Sequence, residues 1–141
     1  MFEIAPDAWG VFPWGKANTH DDDTFKSPAF LRFARRFVEM LDMAIDMLGP
    51  DMDLVEEQLT DIGIMHTGVG VMPHHYPLMG SSLIDTLAAE LGPEIFTQKH
   101  RDAWGTTFTF MSTTMLRGAF EDLKRQVQKA KGDKKLRNSV C

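Results

Sequence analysis

Between Ser27 and Val127, apolar residues return every three or four positions in four successive runs. That rhythm commits the chain to α-helices that bury one face each in a shared core. The first run opens with Ser27 as N-cap and Pro28 at the first helical position, where the missing N–H costs nothing. Phe30, Ala34, Phe37, Leu41, Ile45 and Leu48 then share a stripe of about 20 residues that Gly49-Pro50 stops. The second helix begins after Asp51 or Asp53, places Val55, Leu59, Ile62, His66 and Val69 on one face, and ends at Gly68 and Gly70. Pro73 opens a third, which carries Tyr76, Met79, Leu83, Leu87 and Leu91 as far as Gly92-Pro93. Thr97 caps the last, through Trp104, Thr107, Met111 and Met115 to Phe120, Leu123 and Val127. Residues 1–26 lack this rhythm and hold turn formers such as Gly10, Pro13 and Gly15, which predicts a short helical turn followed by a loop. No segment alternates as a strand does and no repeat occurs, so the expected fold class is all-α.

A chain of 141 residues with 43% hydrophobic content supports one core. We place the domain at residues 1–125 and a polar basic tail at 126–141. The stretch from Lys124 to Arg137 carries seven Lys or Arg and reads as a solvated helix end. A net charge of −5 argues against nucleic acid as a partner, because phosphate contacts need a basic surface. No apolar run approaches the roughly 20 residues that span a bilayer, and the N-terminus carries an acid where a signal peptide would be basic. The expectation is a soluble, cytoplasmic protein with no membrane partner. The one cysteine, Cys141, leaves no internal disulfide, and the ten methionines read as core fillers.

Histidines stand at 20, 66, 74, 75 and 100. His74 and His75 look ligand-like, but consecutive helical residues point about 100° apart, so the pair reads as a solvated helix start. His20 and His100 sit among polar neighbours. His66 differs, because the residues one, two and three turns before it are apolar and turn its ring inward. Two readings fit: a core histidine bonded to a backbone carbonyl, or an axial ligand whose other ring nitrogen donates a hydrogen bond.

The segment from Ile62 to Trp104 resembles the proximal half of a globin, of the neuroglobin-like and flavohaemoglobin type. The resemblance rests on Ile62-Gly63, His66, Gly70-Val71, Tyr76, Leu91-Gly92 and Ala103-Trp104. It implies a haem b cofactor held by His66 as the metal ligand, with Ile62, Val71, Tyr76, Met79 and Leu83 lining the proximal and inner pocket. Upstream, residues 1–15 resemble the globin stretch before the distal helix; Phe12 takes the place of the phenylalanine that packs on haem, and Trp14 lies near the haem edge. Counting from Ser27-Pro28 puts Phe33 where many globins have a distal histidine, with Arg36 and Phe37 on the next turn facing or rimming that side. The bland reading of these aromatics is core packing. The expected fold is globin-like, lacking the first helix and most of the second.

This resemblance implies reversible binding of dioxygen, and of nitric oxide or carbon monoxide, by a protein of oxygen transport or storage that is not chiefly an enzyme. An alternative is nitric-oxide dioxygenase activity with an external reductase, since flavohaemoglobins carry a reductase on the same chain. A third is a haem-free sensor or interaction domain, motivated by Phe33 and by the expected lack of the N-terminal helices. A homo-oligomer is a further expected partner state.

Overall fold

The computed structural model describes residues 4–12, 14, 22–49 and 52–139. Pro13, Gly15, His20, Pro50, Asp51 and Cys141, singled out above, lie outside the described residues. A 3-10 turn spans Pro6–Val11, followed by α1 (Asp22–Phe25), α2 (Pro28–Asp46), α3 (Asp53–Gly68), α4 (His75–Leu91) and α5 (Gln98–Ser139); no strand occurs among the described residues. The all-α expectation holds.

Local chemistry sets the boundaries. Ser27 Oγ accepts from the Phe30 N–H at 3.2 Å, satisfying an otherwise orphaned donor at the start of α2. The end of α3 is a Schellman turn: Val71 N–H donates to His66 O at 2.9 Å and Gly70 N–H to Thr67 O at 3.1 Å. Gly70 sits at φ +93°, the left-handed region that a side chain would strain. α4 starts two residues later than Pro73 suggests, because Met72 to His75 form a turn closed by the 2.9 Å bond from His75 N–H to Met72 O. α5 departs most from expectation. Its 42 residues run unbroken to Ser139, through the stretch read as a polar tail.

The core joins Leu41, Val55, Leu59, Tyr76, Met111 and Met115, with Phe37, Ile62, Val71 and Leu83 packed against it. The main packing is α3 on α5, then α4 on α5, and α1 touches α2. α3 and α5 come closest at Gly63, where an added Cβ would lie 2.6 Å and 2.7 Å from Met115 C and Cα. The periodic faces are buried unevenly: Val55, Leu59, Met111 and Met115 are enclosed, whereas Ile45, Leu48, Val69, Leu91, Phe120, Leu123 and Val127 are exposed. Leu59 is 1% exposed and central, so Leu59→Ala should cost about 2–5 kcal/mol of unfolding free energy, measured by urea denaturation.

The N-terminal segment is held to α2 by aromatic rings. Phe12 stacks on Trp14 at 4.9 Å, and Trp14 meets Phe30 and Phe33 edge-on at 5.1 Å each. Such offset and edge-on pairs add to area burial because each ring's positive edge meets a negative face.

Candidate functional site

Below this aromatic cluster lies a cavity of about 400 Å3, bounded by the N-terminal segment, α2, α3, the start of α4 and α5. Its lining is mostly apolar with a few convergent polar groups, the usual make-up of a small-molecule site. A larger cleft of about 680 Å3 lies between α4 and α5, lined by polar residues including Asp85, Arg101, Asp102 and Thr106. Its 3.0 Å Arg101–Asp85 ion pair is exposed, and we take this cleft as solvated surface.

His66 reaches the apolar cavity from the last turn of α3. Its Nδ1 lies 2.8 Å from the carbonyl oxygen of Ile62, one turn back. A carbonyl only accepts, so Nδ1 carries the proton and Nε2 of the neutral ring keeps its lone pair. The His66 carbonyl is tied as well, accepting from Val69 and Val71 N–H. Backbone and ring are therefore both held, which leaves the Nε2 edge for the cavity. This hydrogen bond is the one the core-histidine reading expects, and it is also the kind that sets the tautomer of a metal-ligating histidine.

Nine of the eleven residues named from sequence line this cavity: Phe12, Phe33, Arg36, Phe37, Ile62, His66, Val71, Tyr76 and Met79. Trp14 does not; it is buried one layer behind, against Phe12 and Phe33. Leu83 is absent from the lining too, since it packs on the core a turn beyond Met79. Tyr76 is buried with its ring 6.1 Å from that of His66, and burial raises its phenol above the ordinary range, keeping it neutral. Phe33 meets Phe12 edge-on at 5.1 Å and stacks with Phe37 at 6.4 Å, so this wall is aromatic. Exposed Arg36, Met65 and Val69 mark where the cavity meets the surface.

Sequence reasoning passed over Met111 and Met115 as lining residues, although both stand on the apolar stripe of α5. It also misplaced His75. That ring is buried and lines the cavity, correcting the solvated reading, and it bonds to a residue 68 positions away. Asp7 Oδ2 lies 2.9 Å from Nε2 of both His74 and His75. These three groups are close enough to hold a metal ion. However, His75 Nδ1 accepts from Met72 N–H at 3.1 Å, so its Nε2 carries the proton and donates to Asp7. The trio is a clamp that fastens the N-terminal segment over the cavity.

Hydrogen bonds from His75 and then His74 lower the Asp7 carboxyl from its ordinary 3.8 to about 2. A depressed carboxyl stabilises the fold above its unfolded value and loses that contribution as pH falls through the folded one. An acid titration should therefore show the fluorescence of buried Trp9 and Trp14 changing between pH 4 and 2, a step that Asp7→Ala removes.

These features have counterparts among known proteins. Residues 1–115 match the family model Globin. A neuroglobin of Tetraodon nigroviridis is 29% identical over 118 residues, covering 84% of this chain and 73% of that protein. One of Danio rerio is 30% identical over the same shares. A flavohemoprotein of Candida albicans is 36% identical over 89 residues, 62% of this chain and 20% of that protein. With helices arranged around an apolar cavity that the tethered His66 enters, and a family match over most of its length, this chain belongs to the globin family.

Proposed function

We propose that the cavity binds haem b, with His66 as the iron ligand, and that the chain reversibly binds dioxygen, with nitric oxide and carbon monoxide as further gases. The observation that carries this reading is the 2.8 Å bond from His66 Nδ1–H to Ile62 O, which presents an Nε2 lone pair to an apolar cavity. Family membership supports the cofactor. Bound haem supplies a ferrous iron able to take a diatomic gas. The protein's part is to bind, orient and exclude water. Ile62, Val71, Tyr76 and Met79 form the wall on the His66 side, while Phe12, Phe33 and Phe37 form an aromatic wall with no hydrogen-bond donor.

The test is an absorption spectrum of the chain loaded with haemin and reduced. A Soret band that shifts on adding carbon monoxide and recovers on its removal is the expected result. Absence of any haem-induced rise in melting temperature would overturn the reading in favour of a haem-free domain.

Phe33 has a consequence for the rate of gas release. A bound polar gas gains from a nearby donor in a dry pocket, and phenylalanine gives none. Phe33→His restores a donor and should slow dioxygen dissociation about tenfold or more, the value of one hydrogen bond to a charge-bearing acceptor. Stopped-flow displacement of dioxygen by carbon monoxide measures it.

The flavohemoprotein match favours a second reading, dioxygenation of nitric oxide with an external reductase. Consumption of nitric oxide by the loaded chain, supported by a reductase and exceeding that of the chain without one, tests it.

A further inference from the structure

The described residues pack as two leaves with the cavity between them. One leaf is the Pro6–Val11 turn with α1 and α2, joined by rings: Trp9 meets Phe25 edge-on at 6.2 Å, Phe25 meets Phe30 at 5.2 Å, and Phe30 meets Trp14, which stacks on Phe12. The other leaf is α3, α4 and α5, locked where the backbone of α5 approaches Gly63 and where Gly118 approaches Thr60. Helices pack closely within each leaf, whereas the leaves meet largely through side chains, with Phe37 and Leu41 of α2 joining the core on α3 and α5. Phe12, Phe33 and Phe37 face the cavity from the first leaf, and Ile62, His66 and Tyr76 from the second.

Asp7 ties the two leaves at one edge of the cavity. The His75 side chain is 8% exposed, and its ring is held from behind by the Met72 N–H on Nδ1, so its Nε2–H already points at the carboxylate. A donor fixed in advance loses little freedom when it binds, and a charged acceptor makes the bond stronger than a neutral one. Asp7 itself is 58% exposed, so water can hydrate the carboxylate as soon as the bond breaks. The tie therefore holds firmly and still opens without stranding a buried charge. Beside it the seam leads straight inward, since Ala8 and His75 both line the cavity.

We propose that the Asp7–His75 pair is a latch: its release lets the leaf that carries the Pro6–Val11 turn part from α3–α5, and this seam is the route by which the cofactor enters and leaves the cavity. The cargo rests on the haem reading proposed above; the movement does not. His74 adds a second, exposed tie to the same Asp7 oxygen. The second leaf is the fixed one, because backbone against backbone at Gly63 cannot slide, whereas contacts made by side chains can re-form after a hinge motion. His66 stays with the fixed leaf, so opening the seam leaves its bond to Ile62 O in place.

Two measurements test the latch. In the first, the haemin-loaded chain is mixed with an excess of a haem-free acceptor globin and the transfer of haemin is followed. Asp7→Ala removes a charged hydrogen-bond acceptor and should lose haemin at least about tenfold faster than wild type, with the same Soret band before mixing. Asp7→Asn keeps an oxygen for the His75 N–H and should fall between the two. Gly118→Ala shows what general loosening does, because its added Cβ would lie 2.6 Å from Thr60 Cγ2, away from both latch and cavity; it should speed the loss less than Asp7→Ala does. The second measurement, amide exchange of the haem-free chain, reads the movement without a cofactor. The Ala8 and Phe12 N–H groups, bonded within the turn, should exchange at least about tenfold faster in Asp7→Ala, while Leu59 to Gly63 keep the wild-type rate. Wild-type haemin loss in Asp7→Ala would overturn the proposal and assign exchange to the mouth beside Arg36, Met65 and Val69. Amide exchange that rises equally on both leaves would overturn it as well, since the variant would then simply unfold more often. If the chain takes up no haemin, the cofactor reading fails and the amide rates still decide the latch.

Discussion

His66→Ala loses the Soret band of the haem-loaded chain and, with it, the thermal stabilisation that haem brings. The wild-type side chain enters the cavity with Nδ1–H fixed on Ile62 O, so its removal deletes the lone pair at Nε2 and leaves apolar walls alone. Ligand at about 100 times its dissociation constant stabilises a protein by about 2.7 kcal/mol, roughly 5–10 °C in melting temperature for a domain of this size. The variant should show almost none of that rise, while the haem-free proteins melt within a few degrees of each other. Differential scanning fluorimetry with and without haemin reads both quantities. A variant that keeps the same band and the same rise would remove His66 from its assigned role.

Gly63→Ala has an effect of comparable size on the other side of the same helix. A Cβ there meets the Met115 carbonyl oxygen as well as C and Cα, all backbone atoms that cannot rotate away. α3 and α5 must separate, opening the contact that buries Val55, Leu59, Met111 and Met115. Overpacking of this kind costs typically 1–3 kcal/mol and more when backbone is the obstacle, so about 3 kcal/mol or above is expected. Urea denaturation checks the loss. Because α3 also carries His66, haem affinity should fall in the same variant, whereas Gly68→Ala, with no atom near the added methyl, should change both far less.

Much of the fold is legible in the sequence because helices announce themselves through short-range chemistry. Ser27 and Pro28 start α2, Gly70 ends α3, and stripes such as Val55–Leu59–Ile62–His66 orient each helix by spacing alone. Partners across the fold were harder to see. His75 looked like a solvated residue because it opens a helix beside a second histidine whose ring must point elsewhere, yet its hydrogen-bond partner is Asp7, and no local pattern encodes a pairing across 68 positions. Trp14 and Leu83 show the converse error: each lies close in sequence to a lining residue and still falls one layer away, since register along a chain says little about depth. The polar stretch after Val127 reads as a solvated helix end; Lys, Arg and Gln are good helix formers, and α5 continues on propensity, exposed from Leu123 to Gly132. His66 alone had two readings that spacing did not separate, and the tether to Ile62 O is compatible with both.

The contact between Gly63 and Met115 also bears on how the chain reaches its final form. About 50 residues separate the two positions, so this packing requires closure of a long loop, whose entropic cost precedes any gain from burial. α3, α4 and α5 can each form early from local interactions, but the wall behind His66 exists only once that closure is complete. Cofactor capture is then a late event gated by chain topology. Amide exchange should be slowest around Leu59 to Gly63 and Met111 to Met115, with α2, which lacks comparable long-range packing, opening first.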